Sequence, residues 1–147
     1  MTTSTSPAVD YHQSAWIRVA FLFGAVYLLA GLVFGWLAGR AASIEMRSAW
    51  RMTAWVVSAL AFALHIRYEY VRLRSASIRL ARHVALAVAI GAFGLALAAN
   101  IHAVMVGSTH RGAIGLSLVL WPLVTALPAF VVALGAGAIL ARTRSVQ

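Results

Sequence analysis

The fold is decided by the first long uncharged stretch of the chain, residues 19–39, which reads VAFLFGAVYLLAGLVFGWLAG. A helix needs about 20 mainly apolar residues to cross a bilayer core of roughly 30 Å, and this stretch has 21. Three further uncharged stretches lie between arginines, at residues 52–66, 83–110 and 112–141. Two of them are also long enough. The stretch 52–66 has only 15 residues, so its helix must draw Arg51 or the segment 65–69 towards the membrane and let the arginine side chains extend to the headgroups.

The composition of the whole chain agrees with a membrane location. Of 147 residues, 63% are hydrophobic and only 10% are charged, and the mean hydropathy is +0.89. A soluble domain carries about 25% charged residues, so soluble enzyme folds and disordered chains are excluded. We predict an all-α integral membrane protein with four transmembrane helices in an antiparallel bundle. The predicted spans are residues 15–39, 49–71, 82–106 and 113–141, between tails at 1–14 and 142–147.

The charges predict the orientation of these helices. All twelve basic residues are arginine, set against three carboxylates, and cytoplasmic loops of membrane proteins carry the excess of positive charge. Eight arginines lie on the side of the two termini and the second loop: Arg18, Arg67, Arg72, Arg74, Arg79, Arg82, Arg142 and Arg144. Four lie on the other side: Arg40, Arg47, Arg51 and Arg111. Both termini are therefore predicted to be cytoplasmic.

The positions of the aromatic residues agree with this orientation. Amphipathic rings prefer the two membrane interfaces. The inner interface would hold Tyr11, Trp16, Tyr68 and Tyr70, and the outer one Trp36, Trp50 and Trp55.

The Ala- and Arg-rich, Lys-free composition is compatible with a GC-rich bacterial genome, so we expect a bacterial cytoplasmic (inner) membrane protein. The arginines bracket apolar runs instead of forming one basic face, which favours lipids over nucleic acid as partners.

Glycines mark two helix faces for close packing. Gly31, Gly35 and Gly39 recur every four residues in the first helix, and Gly91 and Gly94 lie on a similar face of the third. Such faces let a neighbouring backbone approach closely. The partner is either another helix of this chain or a second copy, and we expect a homo-oligomer or a larger membrane complex.

The fourth helix contains two prolines, Pro122 and Pro128, with Thr125 between them. Each proline removes a backbone donor and frees the carbonyl four residues earlier, so we expect kinks, with Thr125 satisfying a freed carbonyl. Such a helix either lines a cavity or packs as an ordinary kinked helix.

Polar residues cluster at the end of the second span. His65, Tyr68, Glu69 and Arg72 fall on one helical face, and Glu69 is the only carboxylate expected to reach a span. One hypothesis is a proton relay, or a site for an anionic or quinone-like ligand. The other is an interfacial helix end where Glu69 pairs with an arginine. Asn100, in the third span, either bonds across helices or contacts a solute. The candidate ligand- or proton-binding residues are His65, Arg67, Tyr68, Glu69, Arg72 and Asn100.

Histidines also allow an electron-transfer hypothesis. His65 and His83 both fall near the same membrane face and are candidate axial ligands of one haem b. His102 lies 19 residues beyond His83 on one helix, roughly 28 Å away, so these two cannot share an iron.

The sequence lacks the usual signatures of enzymes. It has no cysteine, and no metal, nucleotide or nucleophile–base motif is present. With three carboxylates in the chain, acid–base catalysis by a carboxylate pair is nearly excluded. We therefore expect a non-enzymatic membrane protein without a cofactor or metal, acting as a small transport component or an accessory subunit of a membrane complex. The alternative is an electron-transfer anchor that binds haem b or quinone.

Overall fold

The computed structural model describes residues 7–73, 75–107 and 111–144. These residues form four helices: α1 at Pro7–Gly39, α2 at Ile44–Val71, α3 at Ser77–Met105 and α4 at Arg111–Arg144. Arg74 and the outer parts of both predicted tails lie outside the described residues, as do the side chains of Tyr11, Arg111 and Arg144.

Each helix contains a segment long and apolar enough to cross a membrane. These segments are Trp16–Gly39, Ile44–Val71, Ser77–Met105 and Gly115–Thr143. Their mean hydropathies are 2.2, 1.3, 2.2 and 2.3, so α2 is the least apolar, in agreement with its short uncharged stretch. The prediction of an all-helical protein with four helices of membrane-spanning length is confirmed.

A polar cap fixes the start of α2. Ser43 has an extended backbone, and its side chain accepts a hydrogen bond of 3.2 Å from the backbone N–H of Met46. Glu45 lies in the first turn, where a negative charge interacts favourably with the helix dipole. The helix therefore begins five residues before the predicted span, at Ile44, and brings Arg47 and Arg51 into helical geometry.

The helices pack around α3. It makes its most extensive contact with α4 and a smaller one with α1, while α2 packs mainly on α1. α2 meets α3 and α4 at few positions, and α1 does not pack against α4 anywhere in the described ranges. One core cluster joins α2, α3 and α4, and consists of Ile66, Leu80, Ala81, Val84 and Ala133. A second joins α1, α2 and α3, and consists of Ala20, Tyr27, Ala61 and Ala87.

Glycine permits the close approach of α1 to α3. A Cβ added at Gly91 would lie 2.7 Å from the Cβ of Tyr27 and 3.0 Å from the carbonyl oxygen of Gly24. A Cβ at Gly31 would lie 2.6 Å from the side chain of Leu95. Gly94 likewise faces a leucine of α1, at 3.0 Å. These predicted glycines therefore lie at the α1–α3 contact.

The other two glycines of the α1 pattern do not take part in this contact. A Cβ added at Gly35 or Gly39 would meet no atom within 4 Å. Both line an open groove between α1 and α2, where Arg47, Arg51 and Trp55 form the other wall. We call this the α1–α2 groove; its volume is about 480 Å³.

Both prolines of α4 lie inside a continuous helix. The Thr125 hydroxyl donates to the carbonyl oxygens of Trp121 at 2.9 Å and of Pro122 at 3.1 Å. The prolines free the carbonyls of residues 118 and 124, so the expectation that Thr125 satisfies one of them is wrong. The hydroxyl instead bonds to the preceding turn of its own helix, as Thr side chains in helices commonly do.

Candidate functional site

Glu69 is buried near the carboxy-terminal end of α2, with an exposed fraction of 0%. Its carboxylate oxygens lie 3.1 and 3.2 Å from Nδ1 of His83, at the start of α3. The hydroxyl of Ser75, in the connection between the two helices, donates to Oε2 at 3.1 Å. The backbone N–H of Ser75 bonds to the Glu69 carbonyl, so the local turn positions this donor.

His65 lies one helical turn before Glu69 and is equally buried, with an exposed fraction of 0%. Its Nε2 is 3.9 Å from Oε1 of Glu69, and neither ring nitrogen has a hydrogen-bond partner. The ring stacks on Phe23 of α1, with centroids 4.2 Å apart and planes 3° from parallel. Buried polar groups are nearly always hydrogen-bonded, so two unpartnered nitrogens on one buried ring are unusual.

His83 connects the buried carboxylate to the surface of the bundle. Its side chain is 17% exposed, and its ring stacks on Trp16 with centroids 4.4 Å apart. Because Nδ1 faces Glu69, Nε2 is on the opposite side of the ring. The ring also lines a groove of about 510 Å³ between α1 and α4, over α3. We call this the α3 groove.

The cluster formed by His65, Glu69 and His83 holds at least one proton by its geometry. A hydrogen bond between a carboxylate oxygen and Nδ1 needs a proton on one of the two atoms. The ion pairs described for Glu69 are with these two histidines, which carry charge only when protonated. A neutral His83 ring with its proton on Nδ1 makes this bond but leaves the buried carboxylate charged, and an unpaired buried charge is very costly. A further proton on the cluster would therefore stabilise it.

A further buried polar group lies beyond the cluster, along α1. Tyr27 is one turn beyond Phe23, and its hydroxyl is buried without a hydrogen-bond partner. Gly31, one turn further on, lines the α1–α2 groove. Each four-residue step along α1 covers about 6 Å. Polar groups and a groove therefore follow one another along α1.

The structure separates the other candidates from this cluster. Arg67, Tyr68 and Arg72 lie near the end of α2 with exposed side chains. Asn100 is far along α3 and donates to Ala96 O at 2.7 Å and to the Ser117 hydroxyl at 3.0 Å. Asn100 thus bonds to its own helix and to α4. It lies 17 residues, about 26 Å, from His83 along α3.

Sequence reasoning singled out Glu69 and His65 as candidates but did not predict their contacts. It considered an arginine as the partner of Glu69, whereas the structure brings His83 and Ser75 to the carboxylate. Ser75 lies six residues after Glu69, beyond the end of α2. A hydroxyl side chain so close in sequence to a carboxylate at the membrane boundary could have indicated this hydrogen bond. Tyr27 gave no sequence signal beyond being a polar residue within an apolar span.

The two histidines proposed as haem ligands lie on either side of the Glu69 carboxylate. Its oxygens are 3.1 Å from one ring and 3.9 Å from the other, and each ring stacks on an aromatic side chain of α1. Among the residues that the structure describes, no group of three or more His, Asp or Glu side chains is arranged to hold a metal ion.

Comparison with known proteins gives no family for this chain. No protein-family model, curated protein or solved structure matches it.

Proposed function

We propose that this protein is a small, non-enzymatic membrane transport component that transfers protons, with His65, Glu69 and His83 as the proton-binding groups. The proposal rests mainly on the surroundings of His65. This side chain is completely buried, 3.9 Å from a buried carboxylate, with both ring nitrogens unpartnered. Ionisable residues are costly within a membrane span and typically mark ion or proton pathways. Histidine suits such a pathway because each of its two ring nitrogens can bind or release a proton.

The order of groups along α1 supports a path for protons across the bundle. The histidine–carboxylate cluster opens towards one end through His83, which is partly exposed. Tyr27 follows with its unpartnered hydroxyl, and the α1–α2 groove begins one turn later at Gly31. The buried interval between cluster and groove, from Phe23 to Gly31, is two helical turns, about 12 Å. Water molecules that bridge His65 and Tyr27 would complete a hydrogen-bonded chain across it.

We also propose the topology predicted from the arginines. The four helices form an antiparallel bundle in a bacterial cytoplasmic membrane, and both termini lie on the inner side. Paired contacts support the opposite directions of α1 and α2, because Phe23 meets His65 while Phe34 meets Trp50. In this orientation the Glu69 cluster is near the cytoplasmic face and the α1–α2 groove opens outwards.

We also propose that the protein assembles with a second copy of itself or with another membrane subunit. Many large apolar side chains on the outer faces are exposed, which suits contact with lipid or with other membrane helices. Gly35 and Gly39 remain open to a second copy of this chain or to another subunit, because no atom lies within 4 Å of their Cβ positions.

The alternative function, an electron-transfer anchor for haem b or quinone, is favoured by one observation. His83 is held at Nδ1 by a carboxylate and lines an open groove, and a carboxylate commonly supports a ligating histidine in this way. An absorption spectrum of protein purified from haem-replete cells tests the haem form. A Soret band that disappears in His83→Ala would support it, and a colourless preparation would exclude it.

The test of proton transfer uses proteoliposomes carrying a pH gradient and an internal pH dye. Glu69→Gln removes the buried carboxylate with little change in shape, and we expect loss of proton flux. Glu45→Gln is the matched control, because it makes the same change at an exposed carboxylate and should leave the flux unchanged. Wild-type flux equal to that of empty liposomes, or full flux in Glu69→Gln, would contradict the proposal.

A further inference from the structure

The α3 groove has a positively charged end and an apolar remainder. Arg79, Arg82 and His83 line one end, and apolar side chains of α3 and α4, including Leu86, Ala89 and Phe130, line the rest. The groove exists because α1 and α4 flank α3 without packing on each other in the described ranges. In a membrane this open face lies against lipid.

The charges at this end have no carboxylate to balance them within the described structure. The described ion pairs of the nearest carboxylate, Glu69, are with the two histidines, and neither Arg79 nor Arg82 takes part in a described salt bridge. α3 begins at the same end, and its N-cap, Ala76, provides no side-chain hydrogen bond. The positive end of the helix dipole therefore adds to the two guanidinium groups.

The length of the groove matches one leaflet of a bilayer. Along α3 it runs from Arg79 to Ala89, ten residues or about 15 Å. The hydrocarbon core of a bilayer is roughly 30 Å thick, so the groove extends from headgroup level to about the midplane. An acyl chain anchored at the arginines would lie along the apolar walls.

We propose that the α3 groove is a binding site for an anionic phospholipid. The phosphate contacts Arg79 and Arg82 and accepts a hydrogen bond from Nε2 of His83, and an acyl chain lies against Leu86, Ala89 and Phe130. The lipid site shares His83 with the proposed proton-binding cluster, but Arg79, Arg82 and the apolar walls carry it, and lipid binding is measured without proton flux. The proposal therefore does not rest on the proposed function.

The first test measures lipid binding by native mass spectrometry of the full chain in detergent. The probes are phosphatidylglycerol and phosphatidylcholine with identical acyl chains, and we expect preferential binding of phosphatidylglycerol. Replacing both arginines, Arg79→Gln with Arg82→Gln, should weaken its binding roughly 30-fold, about five-fold for each charge removed. The matched control is Arg67→Gln with Arg72→Gln, which removes the same charge from exposed side chains at the end of α2, outside both grooves, and should bind like wild type.

The second test fills the groove without changing charge. Leu86→Trp should reduce binding of phosphatidylglycerol, whereas Leu60→Trp, on the exposed face of α2, should not. Equal binding of the two lipids, equal loss in the two double-arginine variants, or full displacement by inorganic phosphate would overturn the proposal. Co-purification of a haem or a quinone that phosphatidylglycerol does not displace would also overturn it. Unchanged lipid binding with absent proton flux would contradict only the proposed function.

Discussion

The close contact between α1 and α3 can be tested by adding a single methyl group at Gly91. The new Cβ would lie 2.7 Å from the Cβ of Tyr27 and 3.0 Å from the carbonyl oxygen of Gly24. Ordinary contacts begin at 3.4 Å, so α1 must withdraw by about 0.7 Å, the difference between 3.4 and 2.7. Neither neighbouring atom can move away by a side-chain rotation, because one is a Cβ and the other is backbone.

The expected loss of stability follows from two opposing effects. Overpacking a tight contact costs about 1–3 kcal/mol. Exchanging glycine for alanine within a helix gains about 1 kcal/mol wherever it is done. Gly35→Ala receives the same gain without a clash, because nothing lies within 4 Å of its Cβ position. The propensity effect cancels between the two variants, so Gly91→Ala should be less stable than Gly35→Ala by about 1–3 kcal/mol.

The free energy of unfolding can be measured by titrating SDS into mixed micelles and following tryptophan fluorescence. Equal stability of the two variants would refute the close approach of α1 and α3 at Gly91. A larger loss in Gly35→Ala would also contradict it, because the essential contact would then lie on the glycine face that the structure leaves open.

Two further predictions concern the polar side chains. His65→Phe should leave the unfolding free energy unchanged or raise it, because it removes two buried nitrogens that have no hydrogen-bond partner. His83→Phe should lower the unfolding free energy by about 1–3 kcal/mol, because Glu69 loses a hydrogen-bond partner. The reverse order in the same SDS titration would contradict the described hydrogen bonds. Tyr70→Phe should cost about 0.6–1 kcal/mol, because it removes a 2.7 Å bond to a carbonyl of α4. Tyr68→Phe, at an exposed position, is the control, and an equal effect in both would count against that bond.

The sequence predicts the helices well because the physical constraint is local and strong. A chain with this few charges must place its long apolar stretches in a bilayer as helices, since backbone groups there have no water to bond. The stretch 52–66 is too short to span alone, which brings Glu69 towards the membrane. The structure buries that carboxylate completely.

The partners of the buried groups depend on packing that no local pattern encodes. Helical spacing places His65 and Glu69 on one face, but only the approach of α3 brings His83 to the carboxylate. The glycines show the same limit. Gly31 and Gly35 belong to one sequence pattern, yet a Cβ added at Gly31 would clash with α3 while one added at Gly35 would meet no atom within 4 Å. Spacing along α1 does not determine how far the contact with α3 extends.

The proposed proton transfer can be tested most directly at the buried carboxyl group of Glu69. Infrared spectra of the protein in lipid, recorded across the pH range in which it stays folded, measure its protonation, and subtraction of Glu69→Gln spectra isolates the carboxyl group. If Glu69 takes part in proton transfer, its signal should depend on pH, change in His83→Phe, where one of its two hydrogen-bonding residues is lost, and persist in Glu45→Gln. A Glu69 signal that is the same at every pH would contradict the account.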